Sequence, residues 1–293
     1  MSNNYEAWKT KHITLSTLAE AQVRMFNECA SYATAARSTH PWVFSHTTAL
    51  QLLGIELPNL PSSAKQLNPR RKHHPYSLDT LHISFLSNSE RSRRAGVTTH
   101  TCSLPFAPVV LGEGILAVPP LVAWAQMAQH LEVSELVVLG DSMMRKDPRQ
   151  KVATLADFEH FMANTPPFRG KAACRKALTL MAENTDSSQE SRLRLILIAH
   201  HFGTPQVNYK VFDPEKQQSY YLDLAYPLHN LGLEYQGRQH LKSIEQQRND
   251  MFKESRLTSL DWTVLPVYYE DLTQPDRLDL LLSKIIAHCA RVT

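Results

Sequence analysis

The sequence predicts an α/β protein of two modules, and three observations carry that expectation. Short alternating runs lie between helical stretches in the first half of the chain. The last third repeats helix, three strands, helix, strand and helix. A length of 293 residues also exceeds what one small core needs. Apolar residues at 43% and charged residues at 20% match an ordinary globular protein and exclude a disordered or fibrous one. Nine glycines and 17 prolines leave little room for repeats or long flexible linkers. The expected organisation is a mixed α/β module over residues 1–150, a helical connector over 151–186 and a second α/β module over 187–293.

In the first module, Leu18, Val23, Met25, Phe26 and Cys29 recur at helical spacing within Ser16 to Ala36. His40-Pro41 punctuates the chain. Ser45 is a plausible N-cap for a short helix through Leu53, which Gly54 would stop. Ser77 to Phe85, Val97 to Cys102 and Val109 to Leu111 read as strands separated by tight turns. Helices are expected again over Pro119 to Gln129, Val133 to Met144, Leu155 to Ala163 and Lys171 to Ala182.

The second module opens on Ser187-Ser188-Gln189-Glu190, where a Ser and a Glu three residues later can satisfy each other's exposed backbone amides. A helix through His201 follows. Gln206 to Phe212, Gln218 to Leu224 and His229 to Tyr235 read as three strands, and His240 to Ser259 as a long polar helix. Trp262 to Tyr268 makes a fourth strand. Leu278, Leu281, Leu282, Ile285 and Ile286 give a closing amphipathic helix over Pro275 to Ala290.

A net charge of +3 is too mild to identify a partner. Its distribution says more, because Lys65, Arg70, Arg71, Lys72, Arg91, Arg93 and Arg94 face only Asp79 and Glu90 between Leu60 and His100. Such loops either contact phosphates or are solvated surface. Cys29, Cys102, Cys174 and Cys289 lack the spacing of a zinc knuckle or a disulfide framework, which fits a reducing cytoplasm. No signal peptide is evident, and no apolar run reaches the roughly 18 residues of a membrane helix. A cytoplasmic protein with no membrane partner is therefore expected.

The chemistry concentrates on Asp223 and Glu234, which interrupt the apolar runs Tyr221-Leu222-Asp223-Leu224-Ala225 and Leu231-Gly232-Leu233-Glu234. On an antiparallel pair joined by the loop after Tyr226 they stand nearly opposite and can share a face. Two such acids are either a solvated strand face or a site where a cation relieves their repulsion. On the second reading, Glu234→Gln would raise the apo stability. Oxygen ligands of this kind suit Mg2+ or Mn2+, which can activate a water for attack on a phosphodiester.

The order Leu222-Asp223-Leu224-Ala225-Tyr226-Pro227, then Leu233-Glu234-Tyr235-Gln236-Gly237-Arg238-Gln239-His240, resembles a known family. It is similar to the very-short-patch-repair-like endonuclease branch of the PD-(D/E)xK superfamily. The similarity begins at Glu190 to Arg194 and continues through Gln247-Arg248-Asn249-Asp250, Arg256 and Leu260 to Leu265, covering about Ser187 to Leu282. The resemblance implies a restriction-endonuclease-like domain, with a central mixed sheet flanked by helices. It makes Asp223, Glu234 and the Tyr235 carbonyl the metal ligands, with Glu190 completing the acidic cluster, although Glu190 also serves as the helix cap. His240 would position or deprotonate a water, or is otherwise a surface residue. Gln236 occupies the place of the family's lysine, so Arg238, Lys242 or Arg248 would supply the positive charge. Asp250 and Arg256 are expected to be structural, with Arg256 reaching another element.

Val43 to Gly54, Leu81-His82-Ile83-Ser84 and Arg93 to His100 in turn resemble the AbiEi-type antitoxin-related region, without the customary N-terminal winged helix. The combined expectation is a metal-dependent endonuclease acting on nucleic acid, DNA rather than RNA, with Mg2+ or Mn2+ as cofactor. Arg70, Arg71, Lys72, Arg91, Arg93, Arg94, Arg238, Lys242 and Arg248 would contact the nucleic acid. The alternative is a non-catalytic, antitoxin-type regulator that uses a nuclease fold and answers to a partner protein in a toxin-antitoxin system.

Overall fold

Helix α1, Ser16–Ala35, forms where Ala, Met and Leu dominate, and it buries Ala19, Met25, Phe26 and Cys29 on one side. The computed structural model describes residues 16–35, 42–60, 80–85, 95–112, 114–237 and 244–292. The chain divides into two units, Met1–Glu183 and Asn184–Thr293.

In the first unit, β1 (Val43–Phe44) leads into α2 (His46–Leu52), and Gly54 ends the turn at φ +68. Gln22 of α1 pins this turn by donating its side-chain amide to the Leu52 carbonyl at 3.0 Å. Strands β2 (Leu81–Phe85), β3 (Val97–Thr101), β4 (Val109–Gly112) and β5 (Ile115–Ala117) complete a mixed sheet in the order β3-β2-β1-β5-β4. The two shortest strands were not legible as strands, yet the two-residue β1 is central, pairing antiparallel with β2 and parallel with β5. Burial explains it, since Phe44, Ile83, Ile115 and Ala117 are all fully enclosed. Helix α3 (Pro120–Met127) starts on a proline at its first turn, where the missing N–H costs no hydrogen bond. Helices α4 (Val133–Met143), α5 (Leu155–Asn164) and α6 (Lys171–Leu178) follow. Trp124 ties three of them together, donating its indole N–H to the Leu136 carbonyl at 2.9 Å and meeting Phe158 edge-on. The helices between residues 151 and 183 fall inside this unit.

The second unit is a four-stranded mixed sheet between helices. Its order is β6 (Gln206–Asp213), β7 (Gln218–Tyr226), β8 (Leu231–Tyr235) and β9 (Thr263–Val267), antiparallel except for the parallel β8–β9 pair. Helix α7 (Ser188–Ala199) precedes the sheet, and α8 (Ile244–Ser259) crosses from β8 to β9. A short α9 (Tyr269–Thr273) and the long α10 (Pro275–Val292) close the unit. Leu193 and Leu197 of α7 join Leu281, Leu282 and Ile285 of α10 over Leu224, Leu231, Leu233 and Val267 on one face. On the other face Leu257 of α8 packs with Trp262, Val211, Tyr220, Leu222 and Ala225. Each such large apolar side chain contributes roughly 1.5–3 kcal/mol when fully buried. Among the described residues, no helix is long and apolar enough to cross a membrane.

Candidate active site

The pairing of β7 with β8 sets the site. It runs from Tyr226–Leu231 through Ala225–Gly232 to Leu224–Leu233, so Asp223 and Glu234 stand one step past the last paired rung. There Tyr235 turns its backbone N–H to the Asp223 carboxylate, donating to Oδ2 at 2.8 Å. Strand alternation also breaks at Asp223. Leu222 and Leu224 belong to the cores on opposite faces of the sheet, and Asn208, opposite Asp223 in the β6–β7 register, adopts a left-handed φ of +49. This break lets Asp223 interact with groups from both faces. Simple alternation, on which the sequence reading relied, does not describe it.

From the α7 side comes Glu190, which is buried. The Ser187 hydroxyl caps α7 by accepting from the Glu190 N–H at 3.2 Å and donates back to its Oε1 at 2.8 Å. The other carboxylate oxygen accepts from the Asp186 N–H at 2.9 Å, one residue earlier than a reciprocal capping box would have it. Burial, then the charge of Asp223, pushes the Glu190 carboxyl up to about 7 against those hydrogen bonds. Burial likewise pushes Asp223 up to about 6. The Tyr235 N–H and Lys253 oppose that rise, while Glu234 and Asp186 add to it. Asp223 thus couples electrostatically to Glu190, Glu234 and Asp186.

From the α8 side comes Lys253, which sequence reasoning missed. Its ammonium donates to Glu234 Oε1 and, at 2.7 Å, to the Tyr221 carbonyl. The lysine side chain is 30% exposed and the Glu234 side chain 18%, so the pair is largely enclosed. One signal was available: Lys253 lies four residues before Leu257, and a helix carries both on the sheet-facing side. Arg256, on the same face, anchors α8. It grips the Asp213 carboxylate through Nε at 2.7 Å and Nη2 at 3.1 Å, and reaches Glu215 at 2.8 Å. Asp213 also accepts the Glu215 and Lys216 N–H groups, so one carboxylate joins the β6–β7 turn to α8 and helps to aim Lys253. Arg256 therefore reaches a separate element, as its spacing on the helix suggested.

Asp223, Glu234, Tyr235 and Lys253 line an open pocket of roughly 410 Å³ with Gln236, Asp250, Met251, Glu254 and Tyr268, whereas Glu190 does not line it. Gln236 donates its backbone N–H to the Val267 carbonyl at 2.7 Å, and Arg248 is exposed on α8. His240, Arg238 and Lys242, like Arg70, Arg71, Lys72, Arg91, Arg93 and Arg94, lie outside the described residues. Among the described residues, no group of three or more His, Cys, Asp or Glu side chains is placed to hold a metal ion as it stands. The chemistry of the donor set nevertheless suits a hard cation. Asp223 feels Glu234, Asp186 and Lys253, Glu190 feels Asp223, and Tyr235 brings its peptide to Asp223.

The chain is similar to two proteins of Mycobacterium tuberculosis, the uncharacterized proteins Rv2248 and MT2308, each 24% identical over 166 residues. That match covers 56% of this chain and 59% of each relative, so the chain spans about three-fifths of the length of the curated relatives it matches. No family model matches it, and no solved structure does.

Proposed function

We propose that the second unit is a metal-dependent endonuclease domain of the PD-(D/E)xK type, acting on nucleic-acid phosphodiesters, DNA rather than RNA. The observation that carries this reading is the meeting of Asp223, Glu234 and Lys253 at the point where β7 and β8 part. Asp223 and Glu234, with the Tyr235 carbonyl, would hold Mg2+ or Mn2+, which when bound supplies Lewis acidity and an activated water. Lys253 takes the role for which Gln236 is unsuited. An ammonium beside Glu234 is placed to stabilise the negative charge that develops on a phosphate under attack, which a neutral amide cannot do. Glu190, whose burial favours its protonated form, adds an acid on the α7 side of Asp223. Tyr221 (42% exposed), Phe252 (50%) and Tyr268 (44%) stand on or beside the elements that line the pocket, and aromatic faces of this kind stack on unpaired bases. The basic segments of the first unit would add phosphate contacts.

The test is binding of Mn2+ by equilibrium dialysis, followed by cleavage. One Mn2+ bound by the parent and lost in Asp223→Asn supports the reading. Equal nucleic-acid affinity with and without metal, and no Mn2+ bound, would replace it with the regulator that recognises nucleic acid or a partner protein.

A further inference from the structure

Four histidines far apart in sequence converge in the first unit, and the proposed nuclease chemistry uses none of them. His82 is fully buried on β2, and His100 lies on its parallel neighbour β3, two residues along from the rung opposite His82. Their ring nitrogens, Nδ1 of His82 and Nε2 of His100, are 2.8 Å apart. His46, at the start of α2, stacks on His100 with ring centroids 3.8 Å apart and lies 5.8 Å from His82. His130, in the turn after α3, is also 5.8 Å from His46. Four separate elements thus each contribute one imidazole.

The surroundings hold these rings in place. His46 is buried with a left-handed φ of +52, a conformation that costs a non-glycine residue roughly 1–3 kcal/mol and persists only where neighbours enforce it. Its backbone N–H donates to the buried Gln126 side chain at 3.2 Å, and Gln126 donates on to Ser84 of β2 at 3.1 Å. The His46 Nδ1 contacts Ser45 Oγ at 3.0 Å, which leaves Nε2 as its metal-binding atom. His82 is clamped as well, its N–H donating to Thr48 Oγ1 at 2.9 Å and its carbonyl accepting from the Ser45 N–H at 2.9 Å. Orientation of one ring nitrogen by an outer hydrogen bond, with the other left to a cation, is how protein imidazoles are prepared for metals.

We propose that His46, His82 and His100, with His130 as a fourth ligand, form a site for a transition-metal dication of the Zn2+ class. All-nitrogen ligation selects such ions over Mg2+ or Mn2+, so the site is distinct in chemistry from the carboxylate cluster of the second unit. As they stand, no three of the imidazoles meet at bonding distance from one point. Binding requires the rings to turn toward a common point. Two nitrogens bound to one tetrahedral Zn2+ at about 2.0–2.1 Å are about 3.3 Å apart, so the His82–His100 pair opens by roughly half an ångström while His46 unstacks from His100. His100 and His130 are only half-buried and give the ion its way in.

The test uses the full chain after dialysis against a chelator, titrated with Zn2+ alone by calorimetry and with Co2+ alone by visible absorption. Because a carboxylate site that takes Mn2+ also takes Zn2+, the expected result is one equivalent of Zn2+ that persists in Asp223→Asn, ligand-field bands of Co2+ in a nitrogen environment there, and a rise of several degrees in the melting temperature of the first unit. His100→Asn and His130→Asn alter half-buried positions that the fold tolerates better than change at His82. Together they should weaken Zn2+ at least 100-fold, whereas Asp223→Asn should leave it unchanged. No Zn2+ bound, unaltered affinity in the double variant, or loss confined to Asp223→Asn would each overturn the proposal. Circular dichroism of the variants separates a lost ligand from a lost fold.

Discussion

Replacing Asp223 by Asn removes one charge from a crowded acidic cluster while keeping its shape, and the consequence for stability can be worked out. Burial raises the Asp223 carboxyl from 3.8 to about 6, and Glu190 beside it to about 7. An acid raised in this way binds its proton more tightly folded than unfolded. The contribution of this pair to stability is therefore greatest below pH 4, falls as pH rises from 4 to about 7, and changes little above that. A rise of about two pH units corresponds to roughly 3 kcal/mol at pH 8. Because Asp223 shares its environment with Glu190 and Glu234, and because an amide oxygen accepts the Tyr235 N–H less strongly, the net gain expected for Asp223→Asn is about 1–2 kcal/mol. At roughly 4–8 °C per kcal/mol for a domain of this size, that is a clear upward shift in melting temperature at pH 8 and none at pH 4. Thermal melts at both pH values, with a chelator present, measure it. A fall in stability at pH 8, or the same change at both pH values, would refute the electrostatic account of the cluster. With Mn2+ added, the parent should be stabilised more than the variant, and more at pH 8 than at pH 6, because the cation displaces the proton.

Lys253→Met should lower kcat by about 100- to 1000-fold with little change in KM, as loss of one group aimed at developing charge does. Lys253→Arg should restore part of it, and an equal loss in both variants would argue for a packing role only. Arg256→Ala should lower both the melting temperature and kcat, because α8 loses its hold on Asp213 while Lys253 remains; unchanged kcat would separate the anchor from the site. Leu233→Ala, in the core beneath the site, should cost about 2–5 kcal/mol in urea unfolding. Arg248→Ala, and separately alanine at Arg70, Arg71, Arg91, Arg93 and Arg94, should each flatten the dependence of log K on log salt by about 0.7–0.9 for every phosphate no longer neutralised. An unchanged slope would make those side chains solvated surface.

Much of the second unit could be read from its residues because its strands and helices carry long, regular stripes. Leu193 and Leu197, and likewise Leu281, Leu282 and Ile285, pack as their spacing suggests, while Ile286 of the same run is exposed. The short strands of the first unit were less legible, since two or three residues such as Val43–Phe44 carry no period and become strands only through their neighbours. Asp223 and Glu234 stood out as charges in apolar runs, but Lys253 did not. Its role depends on how α8 lies across the sheet, which tertiary packing decides. That lysine also changes an expectation. Glu234 is paired, so Glu234→Gln leaves an ammonium without its counter-charge, and the relief of repulsion belongs to Asp223. The histidine cluster was invisible for a similar reason, because His46, His82, His100 and His130 lack any ligand-like spacing and meet only through the sheet and two helix ends.

The most direct measurement is a cleavage assay with labelled single- and double-stranded DNA and RNA, comparing the parent with Asp223→Asn and Glu234→Gln in Mg2+, in Mn2+ and in a chelator. The account predicts cleavage by the parent only with metal, DNA cut in preference to RNA, and both variants inactive while still folded and still binding nucleic acid. Cleavage that persists in either variant at the parental rate, or a parent that cuts no substrate in either metal, would contradict it.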